Sequence, residues 1–240
     1  MKKNILLTIE YDGSVFHGWQ RQPDKPTVQG HLEQTLSSLL GSSITLNGTS
    51  RTDAGVHAYA QRASFAADVK IPVEKLAMVV NNSLASREKG SFAASPVRIV
   101  KAEEKPAGFH ARFDSKGKKY IYRILNAESA DVFVRNYVYH VAKPLDTDAM
   151  RRAAEFLVGE HDFRSFCANP QMKKSTVRIV DSIEIQMKKD LLYLNFHGTG
   201  FLQNMVRILT GTLLEVGFGK RSVESVKDVL EAKDRKLAGY

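Results

Sequence analysis

Ile44-Thr45-Leu46-Asn47-Gly48-Thr49-Ser50-Arg51-Thr52-Asp53-Ala54-Gly55-Val56-His57-Ala58-Tyr59-Ala60-Gln61-Arg62-Ala63-Ser64-Phe65 is the stretch on which the fold turns. Ile44 and Leu46 alternate as in a short strand. Tyr59, Gln61, Ala63 and Phe65 fall on one face of a second, because strand side chains repeat every two residues. Arg51 to Ala58 is therefore a loop that joins two strands directly. A connection without a helix is not a βαβ crossover, and it favours antiparallel pairing.

The same loop sets an Arg, an Asp and a His close together in sequence. A cation beside a carboxylate keeps it ionised, and a donor can hold one oxygen in place, which makes Asp53 a candidate nucleophile or base. Thr-Asp-Ala-Gly is equally the chemistry of an ordinary turn, and the local sequence leaves both readings open. Asp53 and His57, close together with no second His nearby, make a poor zinc site.

Working outward, Asn4 to Glu10 reads as a buried strand with a turn at Asp12-Gly13, and Gly18 to Lys25 as a polar loop containing Trp19. Thr27 caps a helix whose apolar stripe is Val28, Leu32, Leu36 and Leu39 and whose stop is Gly41. A further helix covers Val73 to Ser83, and Ser86 to Pro96 is polar and poorly patterned. Lys101 to Lys105 is charged and ends at Pro106, so the expected division is residues 1–105 and 106–240.

The second half starts again with a strand, Lys118 to Leu125, placing Tyr120, Tyr122 and Ile124 on one face. A helix from Thr147, with Met150, Ala153, Ala154, Leu157 and Val158 at helical spacing, is expected to stop at Gly159. Strands at Val177 to Met187 and Leu191 to His197, a helix from Phe201 to Val216, and a last helix from Val223 to Glu231 capped by Ser222 complete the reading. The pattern predicts an α+β fold with a largely antiparallel sheet.

Composition narrows the function classes. The chain has 240 residues, 43% of them hydrophobic, and a net charge of +9, which favours a polyanionic partner, nucleic acid first, with acidic lipid or plain solubility as the other readings. The single cysteine, Cys167, allows neither an intrachain disulfide nor a cysteine metal cluster, and this reads as cytoplasmic. The start, Met1-Lys2-Lys3-Asn4 and a short apolar run, lacks the form of a signal peptide, and no apolar stretch approaches membrane-spanning length.

Tyr11-Asp12-Gly13, Gly18-Trp19-Gln20-Arg21-Gln22, Val28-Gln29, Arg51-Thr52-Asp53-Ala54-Gly55-Val56-His57-Ala58, Phe109-His110-Ala111-Arg112-Phe113, Lys119-Tyr120 and Met205-Val206-Arg207 occur in this order. In this the chain resembles the tRNA pseudouridine synthase A (TruA) family. The resemblance implies the pseudouridine synthase fold, two ferredoxin-like α+β halves sharing a central, mainly antiparallel sheet. It implies conversion of uridine to pseudouridine on the 3′ side of the anticodon stem-loop of tRNA, by a homodimer, with no cofactor and no metal.

It also implies roles. Asp53 matches the catalytic aspartate, the chemistry leaving open whether it attacks the anomeric carbon or takes a proton from the neighbouring sugar carbon. Tyr120 matches the tyrosine that stacks on the target base. Arg207 matches an arginine that pairs with the aspartate; on the residues alone it sits mid-helix beside the apolar stripe, where a partly buried cation needs a carboxylate. Arg51 resembles an arginine that helps extrude the nucleotide. Arg21, Gln22, His110 and Arg112 carry over as RNA contacts, while His161-Asp162-Phe163 and Cys167 read as packing.

Two departures stand out. Ser50 occupies a position where the family has Gly, so the loop must accept a side chain there. The chain stops at Leu237-Ala238-Gly239-Tyr240 where the family continues into a final strand, which implies an open sheet edge and a partly unlined uracil pocket. The rival readings are a tRNA-binding chaperone of the same fold that has lost catalysis, and a hydrolase or transferase using Asp53 on a small phosphorylated substrate.

Overall fold

Ile5, Leu7, Ile9 and Tyr11 point to one side of β1 (Lys3–Tyr11), and all four are buried. Alternating apolar residues make this strand the spine of its sheet, flanked by β3 (Ala58–Ala67) and β6 (Val97–Lys105), both antiparallel to it. The structure, a computed structural model, describes residues 2–88, 91–93, 95–169 and 171–240. It divides into two compact units, one ending at Ser115 and the other running from Lys116 to Tyr240.

In the first unit, α1 (Val28–Leu40) and α2 (Val73–Leu84) supply Val28, Leu32, Leu36, Leu76 and Val80 to the core, against Phe65, Ala63, Val97 and Ile99 of the sheet. The ends of α1 are those read from sequence: the Thr27 hydroxyl accepts from the Gly30 amide, and Gly41 stops the helix at φ +64°, where a side chain would strain the backbone. Ile44 and Leu46 are buried as expected, but they do not form a ladder. Their amides go instead to the Ser37 hydroxyl and the Glu33 carboxylate, and pairing is confined to β2 (Asn47–Gly48) on β3. Tyr59 also departs from the expected face. Ile9 pairs with Gln61 and Tyr11 with Ala58, so two residues of β3 oppose Glu10, and this bulge turns Tyr59 out to 65% exposure.

The polar stretch from Ser86 to Pro96 lies partly outside the described residues. Its described backbone pairs β4 (Ser86–Glu88) with β5 (Ser91–Ala93). The charged run Lys101 to Lys105 completes β6 opposite Asn4 to Thr8, with Glu103 between Lys101 and Lys105.

In the second unit the sheet runs β8-β7-β11-β10-β9. Its members are β7 (Lys118–Leu125), β8 (Tyr139–His140), β9 (Gly159–Asp162), β10 (Val177–Lys188) and β11 (Leu191–Gly198), antiparallel except for the short parallel β7 and β8 pair. The α+β reading holds, with sheets that are mainly antiparallel. Ile124, Val180, Leu192, Leu194 and Phe196 meet α3 (Thr147–Glu155), α4 (Met205–Gly217) and α5 (Ser225–Ala232) in one core.

Three boundaries differ from those expected. α3 ends at Glu155 because Leu157 and Val158 bond back three residues, to Ala154 and Glu155, and Gly159, at φ +114°, opens β9, a strand too short and polar to read from sequence. α4 begins at Met205 because Asn204 holds φ +56° and breaks any helix continuing from Phe201. α5 starts at Ser225, whose amide the Ser222 hydroxyl receives.

Asp162 on β9 shows how the rim of this unit is tied. Burial alone pushes its carboxyl up, but the Thr176 hydroxyl, the Arg164 amide and the Lys233 ammonium outweigh that and hold it below the usual carboxylate range. A depressed folded-state pKa contributes stability above the unfolded value of about 3.9, and that stability is lost as pH falls through the folded value. Thr176→Val is therefore expected to cost about 1–2 kcal/mol at neutral pH, with the gap to wild type closing as the medium is acidified below about pH 4 in urea titrations. A gap independent of pH would assign the cost to packing.

Candidate active site

The Arg51 to His57 loop is held by its backbone and by the segment that leaves β1. The Trp19 amide donates to the Thr52 carbonyl at 3.1 Å, and the Tyr11 and Thr52 hydroxyls lie 2.8 Å apart. The Gly55 amide donates to the Phe16 carbonyl, and the Val56 amide to the Asp53 carbonyl at 3.2 Å.

Close approach explains two glycines. A Cβ on Gly13 would sit 2.1 Å from the Val56 carbonyl oxygen, and one on Gly18, at φ +90°, 2.5 Å from that of Thr52. The motifs Tyr11-Asp12-Gly13 and Gly18-Trp19 are thus the cradle of the Asp53 loop, a function that sequence spacing alone does not disclose.

With Thr52 anchored through its backbone and its hydroxyl, the neighbouring side chains are left outside. Arg51 and Asp53 are both exposed, and no ion pair joins them. The expected charge clamp on the carboxylate does not form: within its unit the Asp53 side chain has no hydrogen-bond or ion-pair partner among the described residues. His57 turns away from it, its Nδ1 standing 3.1 Å from the Gly13 amide and 3.0 Å from Asp12 Oδ1.

Ser50 is accommodated without strain. It is not in the left-handed region, and its carbonyl accepts from the Gln61 amide group at 2.6 Å. The side chain that the loop must accept there therefore meets no backbone angle reserved for glycine.

Arg21 and Gln22 serve the approach to this loop. The Arg21 guanidinium pairs at 3.0 Å with Glu33, a buried carboxylate that also receives Gln29 Nε2 and the Leu46 amide. Glu33 escaped the sequence reading, although a carboxylate on the apolar face of α1 one turn from Gln29 was the available signal. Gln22 donates to the His17 carbonyl. In Phe109 to Phe113, Ala111 is pinned between the Ser64 and Thr49 hydroxyls, leaving Arg112 exposed, while His110 Nδ1 accepts the Arg112 amide and its ring stacks near Phe113.

In the second unit Tyr120 lies opposite Phe196 on β11 and meets Phe201 edge to face at 5.2 Å. Two residues on, Tyr122 shares its face; burial raises its phenol, with the Arg207 charge pulling the other way. Arg207 is neither mid-helix nor buried. It occupies the first turn of α4 and is exposed, and no carboxylate of its own unit lies within ion-pair distance among the described residues. The late start of α4 at Met205 puts it there.

His161 and Cys167 fall where packing was expected. His161 meets Phe163 edge to face, and Cys167 is buried near Met172. Among the described residues no group of three or more His, Cys, Asp or Glu could hold a metal ion, and no helix is long and apolar enough to cross a membrane.

Comparison with known proteins gives these residues a context. A family model described as tRNA pseudouridine synthase matches residues 7–114 and 153–240. The tRNA pseudouridine synthase A of Halalkalibacterium halodurans is 44% identical over 238 residues, covering 99% of this chain and 87% of its own. That of Brevibacillus brevis is 44% identical over 237 residues, covering 99% and 93%. Clostridium tetani has a tRNA pseudouridine synthase A 2 that is 41% identical over 241 residues, covering 100% and 94%.

Proposed function

The chain belongs to the tRNA pseudouridine synthase family, and from that premise we propose that it isomerises uridine to pseudouridine in the anticodon stem-loop of tRNA. The reaction breaks the bond from uracil N1 to ribose, turns the base and rejoins it through carbon 5; carbon 5 loses its proton to the medium and N1 gains one. No net oxidation occurs and no atom is added, so the isomerisation calls for no redox cofactor.

The observation that carries the assignment is the Asp53 carboxylate: unpaired within its unit, and mounted on a loop whose backbone is fixed at Thr52, Asp53, Gly55 and Val56. A free carboxylate on a rigid support can attack the anomeric carbon or take the proton from the neighbouring sugar carbon without first breaking a protein contact. In this reading Tyr120 stacks on the uracil, Arg207 supplies the counter-charge to Asp53, and Arg51 aids extrusion of the nucleotide. Arg21, Gln22, His110 and Arg112 contact the RNA. The net charge of +9 suits a polyanion. The working form is a cytoplasmic homodimer.

The test is direct. Incubation with an unmodified tRNA transcript tritiated at uridine carbon 5 is expected to release tritium, and pseudouridine is expected in the product RNA. Binding that weakens steeply with added salt but brings no release would point to a tRNA chaperone of the same fold. Neither binding nor release would remove tRNA as the substrate.

A further inference from the structure

His57 belongs to the loop motif but has no part in the chemistry just proposed. Its place is at the seam where the loop re-enters the sheet, for Ala58 is the first residue of β3. One ring atom, Nδ1, faces two groups of the segment leaving β1: the Gly13 amide at 3.1 Å and Asp12 Oδ1 at 3.0 Å. Asp12 Oδ1 already receives the Ser14 amide at 2.9 Å and the Ser14 hydroxyl at 2.6 Å, so it is a fixed acceptor rather than a mobile surface charge. Without a proton, Nδ1 accepts from Gly13; with one, it donates to Asp12. Either state ties the ring to the Asp12-Gly13 turn.

That tie reaches Asp53 through a short run of backbone. Residue 13 has no Cβ, and the Val56 carbonyl fills the space where one would be, 2.1 Å from its ideal position. The amide of the same Val56 donates to the Asp53 carbonyl. Holding His57 therefore fixes the peptide on either side of Val56, and with it the turn that presents the Asp53 carboxylate.

We infer that His57 is a positioning residue, which locks the Asp53 turn to the Asp12-Gly13 segment through Nδ1. The kinetic part of this inference rests on the proposed synthase activity; the structural part does not. Asparagine places a polar atom close to the position of Nδ1, whereas leucine keeps the bulk and loses the polarity, so the two substitutions separate hydrogen bonding from packing.

Two measurements are made on wild type, His57→Leu and His57→Asn. In steady-state turnover of tritiated tRNA, His57→Leu is expected to lose about 10²-fold in kcat, the scale of a small misplacement of a reacting group, with KM nearly unchanged. His57→Asn is expected to recover most of that loss. In amide hydrogen exchange without RNA, the peptide spanning residues 51–58 is expected to exchange several-fold faster in His57→Leu and at the wild-type rate in His57→Asn.

Unaltered exchange in His57→Leu overturns the inference, as does equal acceleration in both variants. A rise in KM at constant kcat would make His57 an RNA contact instead and also overturns it. Should the wild type release no tritium while the exchange pattern appears as expected, the synthase reading fails and the positioning role stands.

Discussion

Asp53→Ala is expected to bind tRNA as tightly as the wild type and to release no measurable tritium from it. Removal of a nucleophile or general base costs at least about 10³-fold in rate. The structure separates this loss from any effect on folding. The Asp53 side chain is exposed and makes no hydrogen bond within its unit, so truncation leaves no buried donor orphaned, and its stability should stay within about 0.5 kcal/mol of wild type. Binding should be spared for a second reason: deleting an exposed negative charge cannot weaken attraction to phosphates. Asp53→Asn should behave alike, since it keeps the shape and removes the nucleophilic charge. Tritium release by either variant would mean that another group carries the chemistry.

Trp19→Ala is expected to destabilise the first unit by about 3–5 kcal/mol, a large part of the 5–15 kcal/mol that holds a typical domain folded. Trp19 is only 2% exposed although it lies in a loop. Its ring is tilted against Tyr11, with centroids 6.1 Å apart, and a Cβ on Gly48 would come within 2.5 Å of the indole nitrogen. Its backbone links Thr52 of the active loop to Gln29 of α1. Truncation thus opens a cavity in the core beside Tyr11 and Gly48, next to the residue whose amide holds Thr52. Urea unfolding followed by circular dichroism checks the magnitude, and a loss below about 1 kcal/mol would mean that Tyr11 and the loop collapse into the space. Trp19→Phe, which keeps a ring, should recover part of the stability.

What could be read from sequence was what depends on short-range rules. Thr27 and Gly41 bound α1 because a hydroxyl cap and a left-handed stop act within a single turn. The alternation in β7 placed Tyr120, Tyr122 and Ile124 on one face because a pleat leaves no other choice. What could not be read depends on partners far along the chain. The amides of Ile44 and Leu46 were claimed by Ser37 and Glu33, which shortened an expected strand to Asn47-Gly48. A bulge opposite Glu10 reversed Tyr59.

The candidate site shows the same division. The Asp53 motif was legible, but its support was not. Proximity in sequence predicts that Arg51 holds the Asp53 carboxylate ionised, whereas Arg51 faces solvent and the neighbouring His57 turns to Asp12 and Gly13. The apolar spacing from Phe201 onward is helical and predicts Arg207 mid-helix; the left-handed Asn204 that interrupts it has no signature in that spacing.

The chain carries a single tryptophan, whose amide donates to the Thr52 carbonyl and whose ring packs against Tyr11 and Gly48. Intrinsic emission excited at the red edge of protein absorption therefore comes from one place only, the residue whose backbone anchors the Asp53 loop at Thr52. Its wavelength and quenching give an unlabelled optical readout of that loop, silent to the rest of the molecule, from which the arrival of an RNA ligand can be timed by stopped flow.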